Sequence, residues 1–322
     1  TIASGRAAFA SSGMISGVFV VIANAWMNTP TGFDLVAGRP AHLQPLVAMA
    51  NPAALQQTLH MTLAAYAATG LAVAGIHALL LLRDPLNGFH RRALTLGLLV
   101  GAPAALLQPL SGDLSARNLA EYQPTKLAAA EALFETRAEA PLTIGGWPDL
   151  AARRTRFAIE VPYGLSLLAH HDPQAVVAGL DQTPEADWPN VPVVHLAFQV
   201  MVGLGTAMAL VAAWGLWALA TRRNLAEQRW LLRAIAAAGP LGFVAIEAGW
   251  TVTEVGRQPW IIQGILRTSD AVTPMPGLTW TFAGFTALYL FLGLVVAWLL
   301  YAQVIRSPRH TDWHRLYHPT GG

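Results

Sequence analysis

The sequence contains no cysteine and little charge. Without cysteine there is no disulfide, no thiolate ligand for a metal and no iron–sulfur cluster of the usual kind. Charged residues make up 12% of the 322 residues, against about 25% in a soluble domain. This shortage excludes a water-soluble globular enzyme and a disordered protein. A net charge of +2 is too small for a surface that binds nucleic acid.

Long apolar segments take the place of charge. Hydrophobic residues make up 54% of the chain, and the mean hydropathy is +0.43. A helix needs about 20 mostly apolar residues to cross a bilayer. Composition therefore predicts an all-α fold, a polytopic transmembrane helical bundle. Six segments qualify as spans: 7–27, 57–82, 93–110, 193–220, 230–255 and 278–303.

The placement of arginine predicts the orientation of the spans, because loops rich in Arg and Lys stay on the cytoplasmic side. Arginines cluster in the links 83–92 and 221–229 and in the tail after Tyr301. We therefore expect the long polar loop on the outer side. The predicted organisation is three spans with an outer loop in 1–110, the long outer loop in 111–192, three spans in 193–305 and a cytoplasmic tail in 306–322.

The long outer loop, 111–192, is too polar for a bilayer and longer than ordinary connections. Loops of this length are usually functional or disordered. Within it, the stretch Lys126–Ala138 is rich in Ala, Leu and Glu and favours a helix. The predicted helix is followed by the helix breakers Gly145, Gly146 and Pro148.

Ionisable side chains inside spans are informative, because a charge in a bilayer is costly. His60 and His77 lie in the second span, and Glu247 and Glu254 lie in the fifth. Two interpretations are open for the glutamates. Glu254 can form an ion pair with Arg257, three residues further along a helix. The carboxylates can also belong to a proton path or compensate charge beside a redox centre.

In the predicted orientation, His60, Met201, Glu254 and Arg257 all lie towards the outer ends of their spans. A histidine and a methionine from facing helices can be the two axial ligands of a six-coordinate haem. A lone histidine in a span more often forms a helix–helix hydrogen bond, and a lone methionine usually only packs. His77 lies near the inner end and stands apart.

Three histidines of the tail, His310, His314 and His318, repeat every four residues. On a helix they would form one stripe that could bind a metal ion. Pro319 and the terminal glycines favour a frayed end instead. We therefore assign no metal to this stripe.

Several sequence runs are distinctive when taken together. GWTVTEVGRQPW, residues 249–260, is the most specific of them. The other runs are ANAWMNTP (23–30), QTLHMTLAAYAATG (57–70), QPTKLAAAEALFET (123–136), FAIEVPYGLSLLA (157–169) and VHLAFQVMVGLG (194–205). In this order they resemble subunit I of the cytochrome bd-type quinol oxidases. The resemblance covers the chain to about residue 305.

The resemblance implies an enzyme, a membrane quinol oxidase, and it implies roles for four residues in quinol oxidation and haem binding. His60 matches the histidine ligand of the family's low-spin b haem. Met201 matches the methionine ligand of the same iron. Lys126 and Glu131 match residues of the outer loop that are tied to quinol oxidation at the outer face.

The same resemblance implies roles for three residues of the 249–260 run. Glu254 matches a carboxylate linked to the oxygen-reducing centre, which contains two haems. Trp250 belongs to the same signature. Arg257 also belongs to it and is a partner for haem propionates. No role follows for Glu247.

For the complete enzyme the resemblance implies a high-spin b haem and a d haem besides the low-spin b haem. Implied partners are subunit II, small accessory subunits, membrane lipid, ubiquinol or menaquinol, and oxygen. The implied location is the bacterial inner membrane, with 111–192 on the periplasmic side.

Two departures from the family's pattern matter. The family has nine spans in this subunit and we find six, because the first three are missing; they carry the histidine ligand of the high-spin b haem. We therefore expect a chain that is incomplete at its N-terminus. The family also often has arginine two residues before the methionine ligand, where this chain has Gln199. Loss of that nearby positive charge is expected to lower the haem's potential.

Two other functions stay open. One is an electron conduit, a single-haem cytochrome that oxidises quinol without oxygen chemistry. The other is a proton-coupled transporter in which Glu247, Glu254 and His77 form a relay, and it predicts no bound haem. A related protein that has lost its haem is a third alternative.

Overall fold

The computed structural model describes residues 2–302, with side chains from Ser11 onward. The predicted tail, including His310, His314 and His318, lies outside the described residues. The described part is mostly helical, which confirms the predicted helical bundle. Its helices are α1 (Ile2–Asn28), α2 (Pro45–Met49), α3 (Ala54–Arg83), α4 (Gly88–Tyr122), α5 (Pro124–Glu131), α6 (Gly164–His170), α7 (Val191–Ala220), α8 (Arg229–Ala238), α9 (Leu241–Val255) and α10 (Leu278–Leu300).

Short antiparallel ribbons of two strands occupy the connections between helices. They pair β1 (Asp34–Val36) with β2 (Arg39–Ala41), β3 (Arg137–Ala138) with β8 (Val176–Val177), β4 (Leu142–Ile144) with β7 (Ile159–Val161), β5 (Trp147–Asp149) with β6 (Arg154–Arg156), and β9 (Trp260–Ile262) with β10 (Leu266–Arg267). Four single-turn 3-10 helices lie at Leu180–Gln182, Glu185–Asp187, Leu225–Glu227 and Ser269–Ala271.

Among the described residues, 5 helices are long and apolar enough to cross a membrane. They are Ala54–Arg83, Gly88–Tyr122, Val191–Ala220, Arg229–Val255 and Leu278–Leu300, and they cover the second to sixth predicted spans. The first predicted span, 7–27, falls within α1. That helix is not among the five, and part of its side chains lies outside the described residues.

Helices α3 and α4 cross so closely that glycine is required there. A Cβ on Gly97 would lie 2.8 Å from the backbone nitrogen of Ala74, and one on Gly101 would lie 2.7 Å from that of Leu71. Small residues let helix backbones approach each other in a membrane, where packing drives association. Buried leucine and alanine side chains of α3, α4, α7 and α8 form the core around this crossing.

The fifth predicted span consists of two helices, α8 and α9, with a break at Gly239 and Pro240. Proline has no N–H to continue the helical ladder and clashes with the preceding turn. Gly75 of α3 packs against the break, since a Cβ on it would lie 2.9 Å from the Cα of Gly239. The distinctive 249–260 run therefore starts on its own helix, α9.

Helix α4 continues past residue 110, where its span was predicted to end, as far as Tyr122. Its outer turns carry polar side chains that the sequence analysis assigned to the long loop. One of them, Ser115, donates to Oε1 of Gln56 on α3 at 2.8 Å. The polar region 111–192, which the sequence predicts on the outer side and which we call the outer region, thus begins as a direct extension of a membrane span.

Helix α5 is shorter than the helix predicted over 126–138, because it ends at Glu131. Ala132 adopts a left-handed backbone with φ of 52°. The carbonyl groups of Leu133 and Phe134 then accept hydrogen bonds from the distant 3-10 turn at Leu180–Gln182. These bonds outweigh the helix propensity of the segment. Buried side chains of this segment, α5, α6 and the outer ends of α7 and α9 form a second core.

Candidate functional site

A chain of hydrogen bonds connects the outer region to helix α9. Nζ of Lys126 donates to Oδ1 of Asn28 at 2.5 Å. Nδ2 of Asn28 donates to the backbone carbonyl of Asn24 at 2.9 Å. Nδ2 of Asn24 donates to Oε1 of Glu254 at 2.5 Å, and Arg257 donates to Oε2 of the same carboxylate. Three predicted site residues, Lys126, Glu254 and Arg257, therefore belong to one network.

Three helices supply this network near their ends. Asn24 and Asn28 are four residues apart on α1 and so share a face. Glycine at 256 makes room for the lysine, because a Cβ there would lie 3.0 Å from Cγ of Lys126. Lys126 is only 5% exposed and Asn28 only 2%. The middle of the network is therefore shielded from solvent.

Glu131, the second predicted residue of the outer loop, is fully buried. Its Oε2 accepts a long hydrogen bond of 3.4 Å from the backbone N–H of Thr143. Its Oε1 has no hydrogen-bond partner within the described part of the chain. A buried carboxylate oxygen without a donor is costly unless it is protonated or a ligand supplies one. Glu131 can therefore accept a proton, or a hydrogen bond from a hydroxyl group, of a bound molecule.

Two side chains of α7 hold the backbone that faces Glu131. Gln199 accepts a hydrogen bond from the N–H of Gly145 at 2.9 Å and donates to the carbonyl of Thr143 at 2.8 Å. The ring nitrogens of His195 lie 2.8 Å from the carbonyl oxygen of Ala130 and 3.1 Å from that of Gly145. Gln199, which stands where the family often has arginine, thus anchors the outer loop to a span.

Burial changes the acidity of Lys126 and Glu131 in opposite directions. Removal from water and the charge of Arg257 lower the pKa of Lys126 to about 7, although Glu254 opposes the change. Removal from water raises the pKa of Glu131 to about 8, although the hydrogen bond from Thr143 opposes it. Both groups can therefore gain or lose a proton near neutral pH, as acid–base groups at functional sites do.

His60 of α3 is oriented by two side chains of α4. Its Nδ1 lies 2.8 Å from Oγ of Ser111. The Ser111 hydroxyl donates to the carbonyl of Gln108 at 2.9 Å, so the histidine is the donor in its bond to Ser111. The ring proton is then on Nδ1 and the lone pair on Nε2, where Nε2 of Gln108 donates at 3.1 Å.

Met201 lies on α7 and faces α9 at the start of the 249–260 run. A Cβ on Gly249 would lie 3.1 Å from Sδ of Met201. A larger residue would therefore crowd the thioether, and glycine leaves room for it. His60 and Met201 thus belong to different helix pairs, α3–α4 and α7–α9. Both side chains are half-buried.

The donor set suits a haem. An imidazole with its proton on Nδ1 can offer the Nε2 lone pair, here engaged by Gln108, and a neutral imidazole and a thioether are both axial ligands of haem iron. Nε and Nη1 of Arg257 are buried and have no hydrogen-bond partner among the described residues. A guanidinium with two spare donors matches a carboxylate, such as a haem propionate. Trp250 lies half-buried on α9, one turn before Glu254.

Two residues singled out in the sequence lie apart from this site. Nδ1 of His77 is 3.1 Å from Nδ1 of His90 at the opposite end of the α3–α4 pair. Glu247 is exposed on α9. Within the described residues there is no cluster of three or more His, Cys, Asp or Glu side chains that could hold a metal ion.

No role was predicted from the sequence for Asn24, Asn28, Ser111 or Gln108. The two asparagines did carry a signal, because polar side chains four residues apart in an apolar span need partners. Ser111 and Gln108 are polar residues at the end of a span, and only the packing of α3 against α4 shows that they meet His60.

Comparison with known proteins places most of the chain in one family. The family model described as cytochrome bd terminal oxidase subunit I matches residues 6–308. The putative cytochrome bd menaquinol oxidase subunit I of Bacillus subtilis (strain 168) is 37% identical over 305 residues, which are 92% of this chain and 68% of the relative. The cytochrome bd-II ubiquinol oxidase subunit 1 of Escherichia coli (strain K12) is 28% identical, over 80% of this chain and 63% of the relative.

A solved structure of a bd oxidase also resembles this chain. The bd oxidase from Geobacillus thermodenitrificans matches this fold with a TM-score of 0.84 and 38% sequence identity, over 92% of this chain and 68% of that one. This chain therefore spans about two thirds of the length of the relatives it matches.

Proposed function

The chain belongs to the family of cytochrome bd terminal oxidase subunit I, and from that premise we propose that it is the haem-binding subunit of a respiratory quinol oxidase. Quinol is oxidised at the outer face of the membrane. Its electrons pass to a low-spin b haem and then to an oxygen-reducing haem pair of the complete enzyme. The partners are a second oxidase subunit, ubiquinol or menaquinol, and oxygen.

The observation that carries the proposal is the network from Lys126 to Glu254 and Arg257. It joins the polar outer region, where a quinol headgroup can bind, to the helix that carries the family's most specific run. A buried lysine is unusual, because burying a charge costs free energy. A polar ligand that docks beside Lys126 would offset part of that cost.

Quinol docks near Lys126 and Glu131 in this proposal. The unpartnered Oε1 of Glu131 accepts a hydrogen bond from a quinol hydroxyl and then its proton. Lys126 donates a hydrogen bond to the opposite oxygen of the ring in its protonated form. Gln199 and His195 keep the 143–145 backbone in place behind Glu131, so that the carboxyl group is already oriented.

His60 and Met201 would hold the low-spin b haem through Nε2 and Sδ. When bound, this haem would supply an iron that takes up and releases one electron at a time. Ser111 keeps the ring proton of His60 on Nδ1, so Nε2 could bind iron once the Gln108 amide moves off it. Arg257 would bind a propionate with its two unpartnered nitrogens, and Trp250 of α9 would pack beside the haem. Glu254 serves the oxygen-reducing centre, which holds the high-spin b haem and the d haem in the complete enzyme.

The test is a reduced-minus-oxidised visible spectrum of the purified complex that contains this chain, together with quinol-driven oxygen uptake. Wild type is expected to show sharp low-spin b bands, and His60→Ala is expected to lose them. His171→Ala is the matched control, because His171 lies in the outer loop and contacts Asp113 instead.

Absence of haem bands from wild type, or unchanged low-spin bands in His60→Ala, would overturn the proposal. Haem bands with quinol oxidation but without oxygen uptake would favour the electron conduit. Substrate transport without haem would favour the transporter.

A further inference from the structure

A groove at the end of the bundle opposite the outer region collects four arginines. It lies between the start of α4 and the end of α7 and has a volume of about 540 Å³. Arg91 and Arg92 line it from α4, and Arg222 and Arg223 line it from the segment after α7. All four side chains are exposed. The groove therefore presents concentrated positive charge near one membrane surface.

No ion pair in the part of the chain that the structure describes involves any of these four arginines. The nearest acidic residue along the chain, Glu227, accepts a hydrogen bond from Asn224 at 2.7 Å. The Arg223 guanidinium lies 4.3 Å from the ring of Trp217, which positions it at the interface. Like charges gathered in this way attract an anion.

The helix that supplies two of the arginines points to the same kind of ligand. α4 begins at Gly88, so Arg91 closes its first turn and Arg92 follows. The N–H groups of His90 and Arg91 are taken by Asn87, so the helix start contributes only the positive end of its dipole, which disfavours cations in the first turns and favours an anion nearby. An anion between the two arginine pairs would chiefly compensate the guanidinium charges.

The rest of the groove is apolar. Leu96 and Leu99 line it further along α4 and are 65% and 55% exposed. Leu219 lines it from α7. These leucines lie on the membrane side of the arginines, so the surface is basic at the interface and apolar towards the hydrocarbon.

We propose that this groove binds an anionic phospholipid. Its phosphate lies between the two arginine pairs, and its acyl chains follow Leu96 and Leu99 into the bilayer. Basic pockets between membrane helices are recognised binding sites for lipid headgroups, and the volume lies in the range of small-molecule sites, about 300–1,000 Å³. An acidic segment of a partner protein would use the arginines but leave the leucines without a role.

The experiment is native mass spectrometry of the purified oxidase complex, titrated with phosphatidylglycerol or with phosphatidylcholine of the same acyl chains. We expect wild type to retain phosphatidylglycerol preferentially. Arg92→Gln/Arg222→Gln removes one charge from each side of the groove and is expected to weaken retention about thirtyfold. Arg83→Gln/Arg233→Gln is the matched control, because both residues lie near the same end but outside the groove.

Competition identifies the ligand. Sodium phosphate and the deacylated headgroup glycerophosphoglycerol are expected not to displace the lipid, since neither reaches the leucines. Displacement by phosphate would overturn the proposal in favour of a simple anion site. Equal retention of phosphatidylcholine, or equal loss in the control variant, would overturn it as well. Loss of a protein subunit instead of lipid from the groove variant would show a protein interface.

Discussion

The outer network and the two proposed haem ligands are built in different ways. Lys126, Asn28, Asn24 and Glu254 are joined, each to the next, by hydrogen bonds between side chains. His60 and Met201 instead make their contacts within separate helix pairs. The first site is assembled by the polypeptide alone. The second is a pair of prepared ligands that a cofactor would join, as metals and cofactors commonly complete sites that the chain leaves open.

The strongest way to break the outer site is to remove its central link. Asn28→Leu takes away the acceptor of the buried Lys126 ammonium. An unsatisfied buried charged group costs roughly 2 kcal/mol or more, so kcat/KM for quinol is expected to fall by about thirtyfold. Quinol-driven oxygen uptake measures this. Asn28→Asp, which keeps an acceptor, is expected to recover most of the activity.

Asn118→Leu is the control for that variant, because Asn118 also lies in the outer region but bonds to Pro52 and Gln56. Equal damage in the control would mean that any polar loss in this region matters. The link between Lys126 and α1 would then have no special role.

Removal of haem tests whether the two sites depend on the cofactor to different degrees. In protein from haem-starved cells, amide hydrogen exchange in the outer turns of α3 and α7 is expected to rise by about tenfold, because their ligands lose a shared partner. Exchange in α5 and the 142–145 segment is expected to stay the same. Equal loosening of both regions would show that the outer site also depends on the cofactor.

The pH dependence of quinol oxidation reports on Glu131. Because the pKa of Glu131 is raised to about 8, its carboxyl group keeps its proton at neutral pH and cannot accept one. Lys126 must keep its proton to donate to the quinol, and its pKa is lowered to about 7. The rate is therefore expected to follow a bell-shaped profile that rises several-fold to a maximum between about pH 7 and 8 and falls above it. Glu131→Gln should abolish the rising inflection in the profile of kcat/KM. A rising inflection that persists in the variant would assign it to another group.

The smallest expected effect concerns the orientation of His60. Ser111→Ala should leave the low-spin haem bound, because Met201 and His60 are still present. Loss of the hydrogen bond at Nδ1 makes the imidazole a weaker donor to iron, so the midpoint potential should rise by a few tens of millivolts. A redox titration measures it, and Ser111→Thr should restore the original value. An unchanged potential in Ser111→Ala would show that the hydrogen bond at Nδ1 does not tune the iron.

The second to sixth spans were predictable from sequence because each depends on a local apolar run of sufficient length. The resemblance also identified Lys126 and Glu131, which the structure finds buried. The early end of α5 was not predictable, because hydrogen bonds to a segment about 50 residues further on override the propensity of KLAAAEALFET. The role of Asn28 was equally hidden, since its partner Lys126 lies 98 residues away along the chain.

The unbroken course of α4 limits how this protein can change during evolution. Its 35 residues extend over roughly 52 Å, against about 30 Å for the hydrocarbon core. The outer turns are therefore a stalk that carries the loop. One residue inserted at Gly112 would rotate everything beyond it by about 100° around the helix axis and turn Lys126 away from Asn28. The position of Lys126 therefore depends on the length of this stalk.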